Sequence, residues 1–244
     1  MARRFALKDF AYAHRGLWTK DGLPENSLGS FRAAADAGLG IEFDLRLSAD
    51  GEVMVFHDPD LQRMTGAAGL LETLPAAALR SHRLKGGDES LPSFEDLLSI
   101  WPRHLPMLAE MKIDGTTDPA AFARKVGQRL LDWPGLAAAM SFSDIAVRAL
   151  PEGLMRGQLI APSAQYGEAY FDAFAEAAIA DRIDYLAVHY TDAARTAAAL
   201  DGLDMPFVVW TVRTEADLAA LKPYKPAVIF EHFSPALALG AIAP

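Results

Sequence analysis

The sequence predicts an α/β barrel of eight parallel strands, with one β-hairpin spliced in after the second strand. Three observations lead there. The chain has 244 residues, within the roughly 200–250 usual for a single α/β barrel. Short apolar runs alternate with helical stretches, the pattern of a parallel sheet covered by helices. Hydrophobic residues make up 51% of the chain, enough for a sizeable core and too many for a disordered protein.

Taken in order, the strand runs are residues 10–13, 41–45, 53–56, 107–111, 138–142, 157–160, 185–188, 207–211 and 227–230. Residues 30–37, 94–100, 120–131, 144–150, 170–180, 192–200 and 215–221 read as helices. Several are rich in Ala, the best helix former. Nine runs exceed an eight-stranded barrel by one, and the extra run is identifiable. Only eight residues separate Asp44 from Val53, too few for a parallel crossover of a dozen or more. They include Asp50-Gly51, a strong hairpin signal, so run 53–56 returns antiparallel to 41–45. A two-residue Asp50-Gly51 turn sets Asp44 opposite His57 and Leu45 opposite Phe56; a bulged turn shifts that register by one. No linker, repeat or charge block divides the chain, and residues 1–244 read as one domain.

The chain has no Cys and a formal net charge of −9. Without thiols there is no disulfide framework, no thiolate zinc site and no Cys nucleophile. Any metal is then held by carboxylates, imidazoles or backbone oxygens, which favours hard ions. The acidic balance argues against a nucleic-acid partner, which needs a basic face. No segment approaches the roughly 18–20 apolar residues of a membrane span, so no stable membrane insertion is expected. Lys8 and Asp9 interrupt the apolar run near the start, short of a signal peptide. A cytoplasmic location is the expectation.

Four clusters carry chemistry. His14 and Arg15 end the first strand, where polar residues face the active end of a barrel; alone, such a His is more often a satisfied surface or core residue. Glu42 and Asp44 lie two apart in a strand and share a face. Two such carboxylates repel unless a cation or proton sits between them. A divalent, oxygen-seeking metal is the simplest answer, and a water-exposed strand face is the plain alternative. The hairpin brings His57-Asp58 beside Asp44. Glu110 and Lys112 add a third carboxylate and a cation on one face of another strand. Each cluster alone reads as a strand-end ion pair. Together they offer the acid, base, metal ligands and anion-binding cations that phosphoryl-ester chemistry requires.

The motifs His14-Arg15-Gly16, Pro24-Glu25-Asn26-Ser27, Glu42 with Asp44, Asp50-Gly51 followed by Phe56-His57-Asp58, Arg63 with Thr65-Gly66, and Glu110 with Lys112 occur in this order. In that series the chain resembles the glycerophosphodiester phosphodiesterases. Leu91-Pro92-Ser93-Phe94, Ser141-Phe142 and Trp210-Thr211-Val212 extend the resemblance over most of the chain. The resemblance implies a TIM (β/α)8 barrel with a short cap at about residues 58–92. It implies hydrolysis of a small-molecule glycerophosphodiester to sn-glycerol 3-phosphate and an alcohol. In the matching positions Glu42, Asp44 and Glu110 would hold Mg2+ or Ca2+. His14 and His57 would be the acid–base pair, and Arg15 and Lys112 would contact phosphate. The glycerol 2-hydroxyl would attack first, giving a cyclic phosphate that water then opens.

Trp210 is expected either to wall the pocket against glycerol or the leaving group, or to be a core aromatic; Phe142 reads the same way. Glu25 and Asn26 brace the site, or Asn26 caps the following helix. His189 follows a strand end and is a further pocket candidate. His82 and His104 read as ordinary surface residues, and Arg63 and Thr65 as fixing the loop after His57. The chain departs from the family at its last strand. Phe230-Glu231-His232-Phe233-Ser234-Pro235 stands where a Thr-Asp pair before Pro is usual, which alters the far wall of the pocket. The short segment from Gly66 to Leu91 implies an open site for bulky alcohols. A lysophospholipase D-like phosphodiesterase on the same barrel is the alternative. It needs an exposed apolar rim, for which Leu17-Trp18 is a small candidate. A non-catalytic phosphate-binding protein would lack a His or a metal carboxylate, and none is missing.

Overall fold

Period-two alternation decides what each strand sends inward. The computed structural model describes residues 4–242. Its strands are β1 (Ala11–His14), β2 (Gly40–Leu47), β3 (Val53–Val55), β4 (Met107–Met111), β5 (Ala137–Ser141), β6 (Met155–Ile160), β7 (Tyr185–His189), β8 (Phe207–Val212) and β9 (Ala227–Phe230). Every pairing around the ring is parallel, and β1 pairs with both β2 and β9, so eight strands close into a barrel. β3 alone hangs antiparallel on β2, outside the ring. Tyr12, Leu108, Ala138, Tyr185 and Val208 fill the barrel interior. Their sequence neighbours Ala11, Ala13, Met107, Ala109 and Val209 face outward into the layer beneath the helices. Gly157 leaves room for the Tyr185 ring: a Cβ there would lie 2.2 Å from its Cζ. A turn at Leu7–Asp9 closes the N-terminal end, with Tyr12 OH donating to the Leu7 carbonyl at 3.1 Å.

The helices are α1 (Leu28–Asp36), α2 (Gln62–Thr65), α3 (Ala76–Leu79), α4 (Phe94–Ile100), α5 (Pro119–Asp132), α6 (Asp144–Ala149), α7 (Ser163–Tyr166), α8 (Glu168–Ala180), α9 (Ala193–Ala199), α10 (Glu215–Leu221) and α11 (Pro235–Ile242). Local signals set their starts. Ser93 and Asp96 form a capping box for α4, and Asp118 caps α5 with Pro119 at its first position. Ser27 caps α1, accepting from Ser30 N. Asn26 therefore does not cap that helix, and its side chain is free for the site.

The hairpin register differs by one residue from a two-residue turn. The observed pairs are Leu45 with Val55, Arg46 with Met54 and Leu47 with Val53. Gly51 sits at φ +78° and donates to the Ser48 carbonyl at 2.9 Å, while Ser48 N donates to Glu52 O at 2.9 Å. This is a loop of residues 49–51 ending on a left-handed glycine, the common three-residue hairpin. Asp44 consequently faces Phe56, whose N donates to the Asp44 carbonyl at 3.0 Å. His57 lies one step beyond, its carbonyl held by Arg46 Nε at 2.7 Å. The segment after it is more than an open loop: Phe56, Leu61, Met64, Leu71, Leu79 and Leu91 make a separate apolar cluster with Met54 and Leu84. Its helices α2 and α3 complete barely one turn each, too short for a periodicity to announce them.

Candidate active site

The alternation that buries Tyr12 also turns His14 inward at the C-terminal end of β1. In the same way Glu42 and Asp44 project from β2, Glu110 from β4 with Lys112 one residue past its end, and Trp210 from β8. A cavity of about 230 Å3 opens there, lined on one side by His14, Arg15, Glu42, His57, Glu110 and Lys112. Met140, Phe142, Leu159 and Trp210 line the other side. All eight residues expected from the sequence thus come together, Asp44 lying just beneath the surface at 1% exposure.

One oxygen from each of Glu42, Asp44 and Glu110 lies within 4.8 Å of the others, and all three residues are buried. Burial, then the charges of Asp44 and Glu110, push the Glu42 carboxyl well above its ordinary value. Burial also raises Glu110, against the opposing charge of Lys112. Asp44 moves the other way: burial opposes it, but Lys112 and Arg15 together hold it well below the usual carboxylate range. Lys112 Nζ stands 3.1 Å from Asp44 Oδ1 and 2.6 Å from Glu110 Oε1. Arg15 Nε stands 3.3 Å from Asp44 Oδ2, and its Nη1 donates to Glu25 Oε1 at 2.9 Å. Buried, mutually repelling, all-oxygen donors suit a hard divalent cation.

A second set of side chains braces these groups. Asn26, at φ +55°, donates through Nδ2 to Asp44 Oδ2 at 2.8 Å. Arg63 clamps two carboxylates at once: Glu25 at 2.7 and 2.9 Å, and Asp58 at 2.6 and 2.9 Å. Asp58 Oδ1 in turn lies 2.7 Å from His57 Nδ1. Arg63 therefore ties the loop carrying His57 to the loop carrying Glu25. Thr65 Oγ1 bonds locally, donating to the Leu61 carbonyl at 2.8 Å and accepting from Ala67 N at 3.1 Å. His14 Nδ1 lies 2.6 Å from Glu231 Oε2, and its Nε2 lies 3.8 Å from Glu42 Oε2. Burial is the largest influence on both histidines and holds each below its ordinary pKa.

Trp210 is a wall residue. Phe142 meets it edge-on with ring centroids 5.7 Å apart, and His189 does so at 5.4 Å. His189 stands behind this wall, bonded to Thr191 Oγ1 at 2.7 Å. Trp18 is half-buried, 4.9 Å from the His232 ring, so Leu17-Trp18 is no exposed rim. His104 is exposed and His82 half-buried in the cap, both away from the cavity. Sequence reasoning missed the place of Glu231 against His14, and Arg213 beside it. A signal was present: Ala227, Ile229 and Glu231 continue the inward alternation. Parallel pairing of Ala13 with Phe230 then sets Glu231 next to His14.

Among curated relatives, "Probable glycerophosphodiester phosphodiesterase 2" of Mycobacterium tuberculosis is 40% identical over 93 residues, 38% of this chain and 34% of that protein. The glycerophosphodiester phosphodiesterase of Bacillus altitudinis is 35% identical over 101 residues, 41% of this chain and 37% of that protein. The chain spans between about a quarter and half of the length of the curated relatives it matches. Among solved structures, an Oleispira antarctica phosphodiesterase in complex with the product sn-glycerol-3-phosphate superimposes with a TM-score of 0.80, at 22% identity and 96% coverage of both chains. The glycerophosphodiester phosphodiesterase of Thermotoga maritima gives 0.75, at 23% identity, over 95% of this chain and 96% of that one. These likenesses show the fold. The profile of the glycerophosphoryl diester phosphodiesterase family matches residues 14–234, and the chain belongs to that family.

Proposed function

We propose that the protein hydrolyses glycerophosphodiesters to sn-glycerol 3-phosphate and an alcohol, with Glu42, Asp44 and Glu110 holding one Mg2+ or Ca2+. The observation that carries this reading is a single cavity with two histidines, the carboxylate triad and two cations on one wall and an aromatic face on the other. A bound dication supplies charge neutralisation at the phosphoryl oxygens. The chain's own groups do the rest. Arg15 and Lys112 give the cavity wall the positive charge that attracts a phosphodiester anion and stabilises it as charge builds. His14 and His57 each have Nδ1 committed to a carboxylate, which leaves Nε2 to handle protons. One imidazole takes the proton of the attacking 2-hydroxyl and the other delivers one to the leaving oxygen. The roles reverse when water opens the cyclic phosphate. Trp210 and Phe142 offer an apolar face to the glycerol or the alcohol. The sn-glycerol-3-phosphate bound to the Oleispira antarctica protein supports the same product class here.

A lysophospholipase D-like activity is the second reading. Phe142, 37% exposed, and Ile145, 56% exposed, extend the apolar wall toward the surface at the end of β5. No helix of the described residues is long and apolar enough to cross a membrane. The test is release of glycerol 3-phosphate from glycerophosphocholine, glycerophosphoethanolamine and bis-glycerophosphate, with lysophosphatidylcholine alongside. Turnover of the glycerophosphodiesters, abolished by EDTA and restored by Mg2+ or Ca2+, is expected. Failure to cleave any of them with either cation would overturn the proposal, and cleavage of the lysophospholipid alone would favour the second reading.

A further inference from the structure

Glu231 stands against His14, and Arg213, which also lines the cavity, stands against Glu231. Glu231, just past β9, is 7% exposed. Its Oε2 lies 2.6 Å from His14 Nδ1, and its Oε1 accepts from Arg213 Nε at 2.6 Å. Both oxygens are therefore engaged. Burial would raise this carboxyl, but the His14 bond and the Arg213 charge outweigh it and hold the group at about 2. An ionised carboxylate only accepts hydrogen bonds. His14 Nδ1 must then carry the hydrogen, and the neutral ring is left with Nε2 bare. Nε2 is the nitrogen nearer the triad, 3.8 Å from Glu42 Oε2. Asp58 and Arg63 back His57 in the same way.

We propose that Glu231 and Arg213 are positioning residues for the reaction: Glu231 locks His14 as the Nδ1–H tautomer with Nε2 facing the cavity, and Arg213 locks Glu231. The inference rests on the phosphodiesterase reading of the site for its catalytic consequence, and on the hydrogen bonds alone for the tautomer. Each transfer moves one proton between Nε2 and a substrate or water oxygen. Glu231 stays ionised throughout and faces the positive charge that His14 gains. Arg213 has a further consequence for Glu231: it occupies the oxygen that could otherwise draw the carboxylate away from His14.

The test combines 15N NMR of the imidazoles with kinetics. The chain has six histidines, so the His14 signals are assigned by their loss in His14→Asn. In the wild type at about pH 8, above the ordinary imidazole pKa, His14 is expected as the Nδ1–H tautomer. In Glu231→Gln the amide can donate to Nδ1, and the Nε2–H form is expected to grow in. With it kcat falls about 10²–10⁴-fold, with KM within about threefold, since the groups contacting substrate are intact. Glu231→Asp keeps the charge and is expected to restore the wild-type tautomer and part of kcat. Arg213→Gln lowers kcat about tenfold. The double variant is no worse than Glu231→Gln, because Arg213 acts through Glu231. An unchanged tautomer or unchanged kcat in a folded Glu231→Gln variant overturns the proposal. So do losses that multiply in the double variant, since Arg213 would then act on substrate directly. If the wild type cleaves no glycerophosphodiester, the activity reading has failed, and the tautomer measurement still decides this one.

Discussion

Replacing Arg63 by Met is expected to destabilise the protein by about 2 kcal/mol. The side chain makes four charge-assisted hydrogen bonds, two to Glu25 and two to Asp58. Were all partners exposed, such pairs would contribute less than about 1 kcal/mol. Here the carboxylates are withdrawn from water, Glu25 at 6% and Asp58 at 15% exposure, while Arg63 itself is 47% exposed. Breaking a fully buried pair costs about 3–5 kcal/mol. The value falls between these limits because Glu25 keeps Arg15 and Asp58 keeps His57. Met retains the aliphatic stem, so lost packing contributes little. At this chain length the loss corresponds to a Tm lower by about 4–8 °C.

The pH dependence of that loss is the sharper test. Burial alone would raise Glu25 and Asp58, but the bonds from Arg63 outweigh it and hold both below their ordinary values. A carboxylate depressed in the folded state stabilises it above the unfolded pKa of about 4, and that stabilisation disappears as pH falls through the folded value. Urea denaturation in EDTA, at a series of pH values, measures the gap between wild type and variant. The gap is expected in full at about pH 7 and to shrink below about pH 4. A variant as stable as the wild type at neutral pH refutes the reasoning, and so does a gap that stays constant to about pH 3.

Three further outcomes are expected. His14→Ala and His57→Ala each lower the rate of glycerol 3-phosphate release about 10²–10⁴-fold; a double variant with full activity would remove both from the mechanism. Burial raises the pKa of Glu42 and Glu110 in the folded state, so without metal their contribution to stability is greatest in acid and is lost as pH rises through those values. Thermal melts in EDTA should show that decline, and Mg2+ or Ca2+ should reverse it by binding only the ionised, folded triad. Trp210→Ala should raise KM about tenfold with a smaller effect on kcat, because its ring lines the cavity and carries no proton; steady-state kinetics showing loss confined to kcat would assign it another part.

The fold was largely legible because its two periods are local. Alternation within a strand needs only four or five residues, and β4 and β9 fall on the expected positions, as do α4 and α10. The site was legible for the same reason. Its groups lie in pairs on single strands, Glu42 with Asp44 and Glu110 with Lys112, so each pair declares its common face before the strands are arranged. What stayed hidden was decided by choices the local sequence leaves open. Asp50-Gly51 is compatible with a two-residue turn and with the three-residue loop that formed. A difference of one residue there moved Asp44 from His57 to Phe56.

Glu231 was hidden for a different reason. It lies 217 positions from His14, and nothing local says that β9 closes against β1. Once closure is granted, parallel register leaves little freedom: Ala13 pairs with Phe230, so the residues that follow each of them stand side by side. The same reasoning settles the acidic balance of a chain that would bind an anion. Glu42, Asp44 and Glu110 project into one small volume where a dication, Lys112 and Arg15 can offset them, and Glu25, Asp58 and Glu231 are each matched to an arginine. Net charge therefore says little about the sign of the field in the cavity. That field is set by which carboxylates are left unmatched, and around the two histidines the bracing acids are all paired.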